Sequence, residues 1–163
     1  MKTNRGKDAK SYIDLADDWD SPNWEEMGLI LDETVDLEKD MASGPSGRNS
    51  EWEESQPILR KVKMSGTYNY RPAADCTDAV YDKLLDSFYQ NDPIYVLFTD
   101  GDINDSGHVI GVKAPMQVAK LGQSRNIGDR MQVQIELVGT VDYEDDCTPI
   151  VPERYEINTG SLT

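Results

Sequence analysis

The turn at residues 100–107 places oxygen-bearing side chains at alternate positions, as a calcium-binding loop does. Asp100, Asp102 and Asn104 occupy positions 1, 3 and 5 of such a loop. The loop also needs Gly at position 6 and Glu at position 12, where this chain has Asp105 and Gly111. We therefore expect a solvated hairpin turn. A calcium-influenced surface module is kept as a competing interpretation.

Other reactive side chains are scarce. His108 is the one histidine, and Cys76 and Cys147 lie far apart without a CxxC spacing. These residues do not make a zinc site of the usual kind, and we expect two free thiols. Carboxylates are abundant, but no pair stands out as a general acid and base. The sequence predicts no catalytic residue, no metal, no cofactor and no enzyme activity.

The charge of the chain is strongly negative. Its 163 residues include 16 Lys and Arg against 31 Asp and Glu, a formal net charge of −15. This balance argues against a basic nucleic-acid-binding patch, although nucleic acid could still pass along such a surface without sticking. No apolar stretch is long enough for a membrane helix, and no secretory h-region is visible. We expect synthesis in the cytoplasm and no membrane insertion.

Hydrophobic periodicity indicates mainly strands. Alternation over 27–38 predicts a strand pair or a bent strand, and 58–70 and 130–142 alternate more regularly. The continuous apolar run at 93–99 suits a strand buried on both faces, and another strand follows the turn at 100–107. In the 130–142 strand the apolar face comprises Met131, Val133, Ile135, Leu137 and Val141. The polar face of the same strand comprises Gln132, Gln134, Glu136, Thr140 and Asp142.

One amphipathic helix interrupts the strands. Asp75 or Thr77 is the expected N-cap, and the helix is expected to end near residues 90–93. Val80, Leu84 and Phe88 recur every four residues and should pack the helix onto a sheet. Strands linked by hairpins with one helix predict a mainly β fold, an antiparallel β-sandwich or partial barrel with a flanking α-helix.

Three domain regions follow from the composition. Residues 1–25 are expected to form an N-terminal arm without regular structure, 26–144 the β domain and 145–163 a C-terminal extension. Within the domain, the Gly, Ser and Pro content of 41–50 predicts a long mobile loop. Trp19 and Trp24 in the arm favour docking on a partner, because tryptophan is enriched at interfaces.

The order of these elements resembles the major tail tube proteins of long-tailed bacteriophages. The resemblance covers about residues 26–142. It includes Trp52 before a strand that ends in Gly66-Thr67-Tyr68, then the helix and the strand after Asp92-Pro93, and a closing strand that ends at Gly139. The related inner-tube proteins of contractile tails and type VI secretion share the family fold.

This resemblance implies a structural subunit whose six copies close into a ring, with rings stacked into a hollow tube that delivers DNA to the host. Its partners would be other copies of itself, the tail terminator, tape measure and baseplate or tip proteins, and transiting DNA that it does not bind specifically. Its location would be the virion tail. The expected lumen-facing residues are Gln132, Gln134, Glu136, Thr140 and Asp142. The expected contacts between rings are Trp19, Trp24, Ser43, Gly44, Pro45, Gly47 and Arg48.

The sequence leaves two alternatives open. A secretion or injection-system inner tube with a protein cargo shares the fold and is the main alternative. Lys61 and Lys63 lie on the wet face of a strand in the expected tube wall. If these lysines are unpaired, their positive charge weakens the repulsion between an acidic tube wall and DNA. If they pair with acidic residues of an adjacent strand or subunit, the repulsion is kept.

Overall fold

The alternating segments form one large antiparallel sheet in the computed structural model, which describes residues 9–28, 30–45, 53–70, 78–104, 107–124 and 131–158. The strands are β1 (Lys10–Asp14), β2 (Trp24–Glu26), β3 (Ile30–Pro45), β4 (Glu53–Tyr70), β5 (Ile94–Thr99), β6 (His108–Ser124), β7 (Met131–Gly139), β8 (Asp142–Tyr143), β9 (Pro149–Ile150) and β10 (Glu153–Asn158). The helix α1 spans Ala79–Gln90 and lies between β4 and β5 in the chain.

The strand order of the main sheet is β2-β1-β5-β6-β7-β4-β3, and all of its neighbours are antiparallel. The long strand β6 organises the centre of this sheet. It pairs with β10 along His108–Lys113 and with β7 along Met116–Ser124. The short strands β8 and β9 form a separate ladder.

A single core gathers side chains from strands that are far apart in this order. Ile13 of β1, Met64 of β4, Val96 of β5 and Leu137 of β7 are fully buried in one cluster. The sheet must therefore curl around the core, although β2 and β3 share no ladder among the described residues. The predicted fold class, a mainly β sandwich or partial barrel with one helix, is confirmed.

The N-terminal cap of α1 is Asp78 rather than Asp75 or Thr77, which lie outside the described residues. One carboxylate oxygen of Asp78 accepts a hydrogen bond from the Tyr81 backbone N–H at 3.2 Å. The other accepts one from the Tyr68 hydroxyl at 2.6 Å. Asp78 therefore starts the helix and fastens it to β4. Asn91, in the left-handed conformation, ends the helix inside the predicted range.

The helix packs on the sheet through a stripe that differs from the expected one at its last position. Val80 and Leu84 are buried in the core, as predicted. Phe88 is 40% exposed and contacts Tyr89, so its predicted packing role is wrong. The buried position of that turn belongs to Ser87, whose hydroxyl donates to the Asp92 carbonyl at 2.7 Å. The buried residues of an amphipathic helix are spaced alternately by three and four residues. Residues spaced strictly by four therefore rotate away from the buried face after two turns.

The expectation of no regular structure over residues 1–25 is wrong for β1. This strand lies between β2 and β5, and its residues from Ser11 to Asp14 are all buried. Because both of its faces are covered, it shows no alternation of apolar and polar residues. Asp14 sits at its end and accepts hydrogen bonds from the backbone N–H groups of Ala16, Asp18 and Asn23.

The expected loop at 41–50 begins later than predicted. Strand β3 continues to Pro45 in register with Glu53 of β4, so 41–45 belong to a hairpin arm. Residues 46–50 lie outside the described ranges. Backbone pairing, which side-chain composition does not reveal, holds this part of the hairpin together.

The strand predicted at 130–142 is confirmed over β7, where Val133, Ile135 and Leu137 are buried. Its end is earlier than expected. The Thr140 N–H still bonds to the Pro115 carbonyl of β6 at 3.0 Å, but Thr140 and Val141 lie outside the strand. Val141 is consequently 47% exposed and does not belong to the apolar face.

Candidate assembly surfaces

The outer face of β4 and β7 is a broad polar surface. Gln132, Gln134 and Glu136 of β7 lie on one face, opposite Asn69, Thr67 and Ser65 of β4. The alternate residues of both strands point into the core, which leaves this face to solvent. The structure thus brings together three of the five predicted lumen residues on one surface, which we call the polar face.

The other two predicted lumen residues lie elsewhere. Thr140 and Asp142 come after β7 has ended, and Asp142 begins β8. The Asp142 carboxylate accepts a hydrogen bond from the Tyr95 hydroxyl at 2.8 Å. This contact ties Asp142 to β5 instead of placing it in the row formed by Gln132, Gln134 and Glu136.

Lys61 and Lys63, on the polar face, are each paired with an acidic residue of an adjacent strand. The Lys61 ammonium lies 2.8 Å from the Asp40 carboxylate of β3, and the Lys63 ammonium lies 3.0 Å from the Glu136 carboxylate of β7. The hydrogen bond to Asp40 raises the pKa of Lys61, and that to Glu136 raises the pKa of Lys63. Of the two uses considered for these lysines, pairing between strands is the one observed.

Much of the acidic surplus lies on a different surface, around the loop after β1 and the turn between β8 and β9. A cleft of about 550 Å³ there is lined by Asp17, Asp18, Asp20, Glu144, Asp145 and Asp146, together with aromatic residues. Partial burial and the neighbouring carboxylates raise the pKa of Glu144. Within the described ranges, no group of His, Cys, Asp or Glu is arranged to hold a metal ion.

The two arm tryptophans have different surroundings. The ring of Trp19 packs edge-on against Tyr95, with centroids 5.1 Å apart. The Lys113 ammonium lies 4.0 Å from the Trp19 ring centroid and donates to the Trp19 carbonyl at 2.5 Å. Trp19 is therefore docked on its own chain. Trp24 lies half-buried on β2, at one end of the strand order.

The remaining candidates for contacts between rings lie on the β3–β4 hairpin. Ser43, Gly44 and Pro45 are paired with Ser55, Glu54 and Glu53 near the described end of the hairpin. Gly47 and Arg48 lie outside the described residues. Closer to the core, β3 exposes three large apolar side chains, Leu31 at 49%, Leu37 at 59% and Met41 at 52%. Sequence periodicity did not mark these residues as exposed.

The residues considered for chemistry make ordinary structural contacts. The Asp102 carboxylate bonds to the Lys10 ammonium at 3.0 Å and to the Asn104 backbone N–H at 2.9 Å. These bonds lower the pKa of Asp102. His108 is exposed, with its Nε2 2.5 Å from the Glu156 carboxylate. Cys147 is an exposed free thiol, as predicted, whereas Cys76 is outside the described residues.

The single described helix, α1, is neither long nor apolar enough to cross a membrane.

Comparisons with known proteins give matches by structure alone. No family model matches the chain, and no curated protein matches it by sequence. A chain in the virion of a native gene transfer agent particle is 14% identical over 85% of this chain and 95% of that one, with a TM-score of 0.60. A chain in the tail of an empty gene transfer agent particle, refined with C6 symmetry, is 15% identical with the same coverage and a TM-score of 0.63.

The SPP1 tail tube also matches. It is 12% identical, over 96% of this chain and 82% of that one, with a TM-score of 0.64. At such low identity these likenesses show the fold. The fold is that of the SPP1 tail tube and of the C6-symmetric gene transfer agent tail, as the resemblance in sequence implied.

Proposed function

We propose that this chain is the repeating structural subunit of a hollow phage-type tail tube, with no catalytic role. The observation that carries the proposal is the fold shared with the SPP1 tail tube and the gene transfer agent tail over 85–96% of this chain. Coverage of this extent is that of a whole domain and not of an isolated supersecondary motif.

Six subunits close into a ring, in keeping with the C6 symmetry of the gene transfer agent tail. Both ends of the strand order, β2 and β3, have one unpaired edge among the described residues. Exposed edges favour pairing with another chain, and a heterologous contact that closes produces a ring. Rings then stack through the β3–β4 hairpin and Trp24.

The polar face lines the lumen and lets DNA pass without specific binding. Lys61 and Lys63 of this face are neutralised by Asp40 and Glu136 and are therefore not free to bind phosphates. Six chains of −15 give each ring a formal charge of −90, which counterions must screen in part. The conduit is part of the virion tail and is assembled in the host cytoplasm, with terminator, tape-measure and baseplate proteins as its other partners.

Light scattering on the purified protein, over a concentration series, tests this assembly. We expect masses at multiples of six copies of the 18.3 kDa chain, rising with concentration as rings stack. A mass that stays at one chain through the whole series would contradict the proposal.

A further inference from the structure

An open cleft of about 620 Å³ lies where β3 faces β1, β5 and β6. We call it the Glu33 cleft. Its apolar lining includes Met27, Ile30, Val35, Phe98, Ile110 and Val112. Ile110 is 36% exposed there. The cleft thus continues the core, in which Met27 and Phe98 are buried, and leaves Ile110 partly exposed.

A β-bulge places Glu33 in this cleft. The register of β3 against β4 shifts between Leu31 and Thr34, and Asp32 adopts the left-handed conformation with φ of 52°. Bulges of this kind redirect a side chain. Here the bulge turns Glu33 toward β1, where its carboxylate accepts a hydrogen bond from the Ser11 hydroxyl. Burial raises the pKa of Glu33.

No cation of the described residues neutralises Glu33. Lys10, the one cation in the described lining of the cleft, is held by Glu26 at 3.2 Å and Asp102 at 3.0 Å. Glu26, Glu33 and Asp100 leave the lining with an excess of negative charge. A half-buried carboxylate without a counter-charge among the described residues is stabilised by a cation brought against it.

The β3–β4 hairpin carries the complementary groups. Leu37 is 59% exposed, and Lys39 lies two residues further along the same face of β3, directly opposite Arg60 of β4. Both cations are exposed and make no ion pair with any described residue. The hairpin therefore presents an apolar side chain next to two cations that have no ion-pair partner among the described residues.

The hairpin of the same chain cannot fill its own cleft. The ladder between β3 and β4 runs without a shift from Thr34 to Asp40. A strand rises about 3.3 Å per residue, so Lys39 is held roughly 20 Å from Glu33 along the strand. A second copy has no such restriction.

We infer that the Glu33 cleft of one subunit receives the Leu37–Lys39–Arg60 face of the β3–β4 hairpin from a neighbouring copy. This inference rests on the proposed function and specifies one of its interfaces. Leu37 covers the apolar lining, and Arg60 or Lys39 supplies the missing charge to Glu33. The contact is heterologous, and it propagates from copy to copy.

Disulfide cross-linking tests the pairing in assembled tubes. In a Cys76→Ser, Cys147→Ser background, Leu37→Cys with Ile110→Cys should oxidise to a ladder of linked chains on a denaturing gel. Leu31→Cys with Ile110→Cys is the matched control, because Leu31 opposes Thr67 and belongs to the other face of β3. The control should give no ladder.

Charge reversal provides a second measurement that does not depend on the cysteines. Arg60→Glu should raise the protein concentration at which tubes appear by about tenfold or more, equivalent to one lost charge-assisted contact per subunit. Lys120→Glu makes the same charge change at an exposed lysine away from the hairpin, and should shift that concentration by less than about threefold.

The outcomes separate the two proposals. Unmodified protein that never assembles would contradict the tail-tube function itself. Tubes that form while the Leu37–Ile110 pair gives no ladder, or links only within one chain, would overturn the inference and leave the function standing. The same holds if Arg60→Glu and Lys120→Glu behave alike.

Discussion

The Lys63 ammonium lies 3.0 Å from the Glu136 carboxylate, across the ladder between β4 and β7. On the polar face, the Lys63 side chain is 52% exposed and the Glu136 side chain is 34% exposed. Lys120 of β6 stands opposite Glu136 on its other side. Glu136 is therefore placed between two lysines in the ladder, and its carboxylate is ion-paired with Lys63.

Glu136→Gln should turn the polar face into one that retains DNA. Removing the carboxylate frees Lys63 and leaves Lys120 without its acidic neighbour, so phosphate contacts become possible and salt-dependent. We expect little change in the free energy of unfolding, about 1 kcal/mol or less, because the pair is exposed. DNA co-sedimentation with assembled tubes at low and high salt measures the effect. Glu25→Gln, on β2, is the matched control and should retain no more DNA than the unmodified protein.

Gly111→Ala should disrupt the centre of the sheet. A Cβ at this position would lie 2.0 Å from the Phe98 carbonyl oxygen, which is backbone of the adjacent strand β5. The strands must separate to admit it, at a cost of about 2–4 kcal/mol, in the range of the larger destabilising substitutions. Urea unfolding measures the loss.

Gly122→Ala in the same strand is the control for Gly111→Ala. The nearest atom to its added Cβ is 3.6 Å away, an ordinary contact. We expect the free energy of unfolding of Gly122→Ala to change by less than about 1 kcal/mol. Alanine lowers the conformational entropy of the unfolded chain, which favours a small stabilisation. Equal losses for the two variants would show that the close approach at Gly111 is not the cause.

Lys113→Ala should loosen the loop after β1. Lys113 is 9% exposed, and its ammonium bonds to the Trp19 carbonyl at 2.5 Å over the indole ring. Loss of both contacts should lower the free energy of unfolding by about 1–3 kcal/mol and increase amide exchange at 15–23. Lys120→Ala, an exposed lysine of the same strand, should leave that exchange unchanged. Protection at 15–23 that survives Lys113→Ala would contradict this role.

Glu33→Gln should stabilise the isolated subunit at neutral pH and not at acidic pH. The pKa of Glu33 is raised in the folded state, so the folded chain binds more protons than the unfolded chain over the interval between the two pKa values. Stability therefore falls as pH rises through that interval, from the ordinary glutamate value of 4.5 upward. Glutamine removes this loss. Chemical unfolding of both proteins from pH 4 to pH 8 should show a difference that grows with pH.

A pH-independent difference for Glu33→Gln would mean that the substitution acts through packing and not through ionisation. Glu25→Gln, on the exposed edge strand β2, should show no pH-dependent difference from the unmodified protein over the same range.

Much of the fold could be predicted because most strands have one solvent-exposed face, which makes polar and apolar residues alternate along the strand. Val133, Ile135 and Leu137 alternate with polar residues since β7 separates core from solvent. The same logic located β4, and the continuous apolar run located β5. Alternation did not locate β1, because the polar residues Ser11 and Asp14 are buried there and form hydrogen bonds that composition does not show. Hydrogen bonding to local backbone, not hydrophobicity, accounts for Asp14.

The candidate surfaces were less predictable. Gln132, Gln134 and Glu136 share a face because a strand has a period of two, whereas Asp142 was lost from that face because β7 ends at Gly139. Trp19 was expected at an interface with a partner, but it packs on Tyr95 of its own chain. The Glu33 cleft depends on a bulge at Asp32 and on contacts between distant strands. Neither leaves a periodic signal in the sequence.

Negative-stain electron microscopy of the purified protein across a concentration series tests whether the subunit forms a hollow tube. We expect rings with a central channel and, at higher concentration, hollow tubes whose end views show sixfold symmetry. Solid aggregates, or single particles without a channel at every concentration, would contradict this expectation.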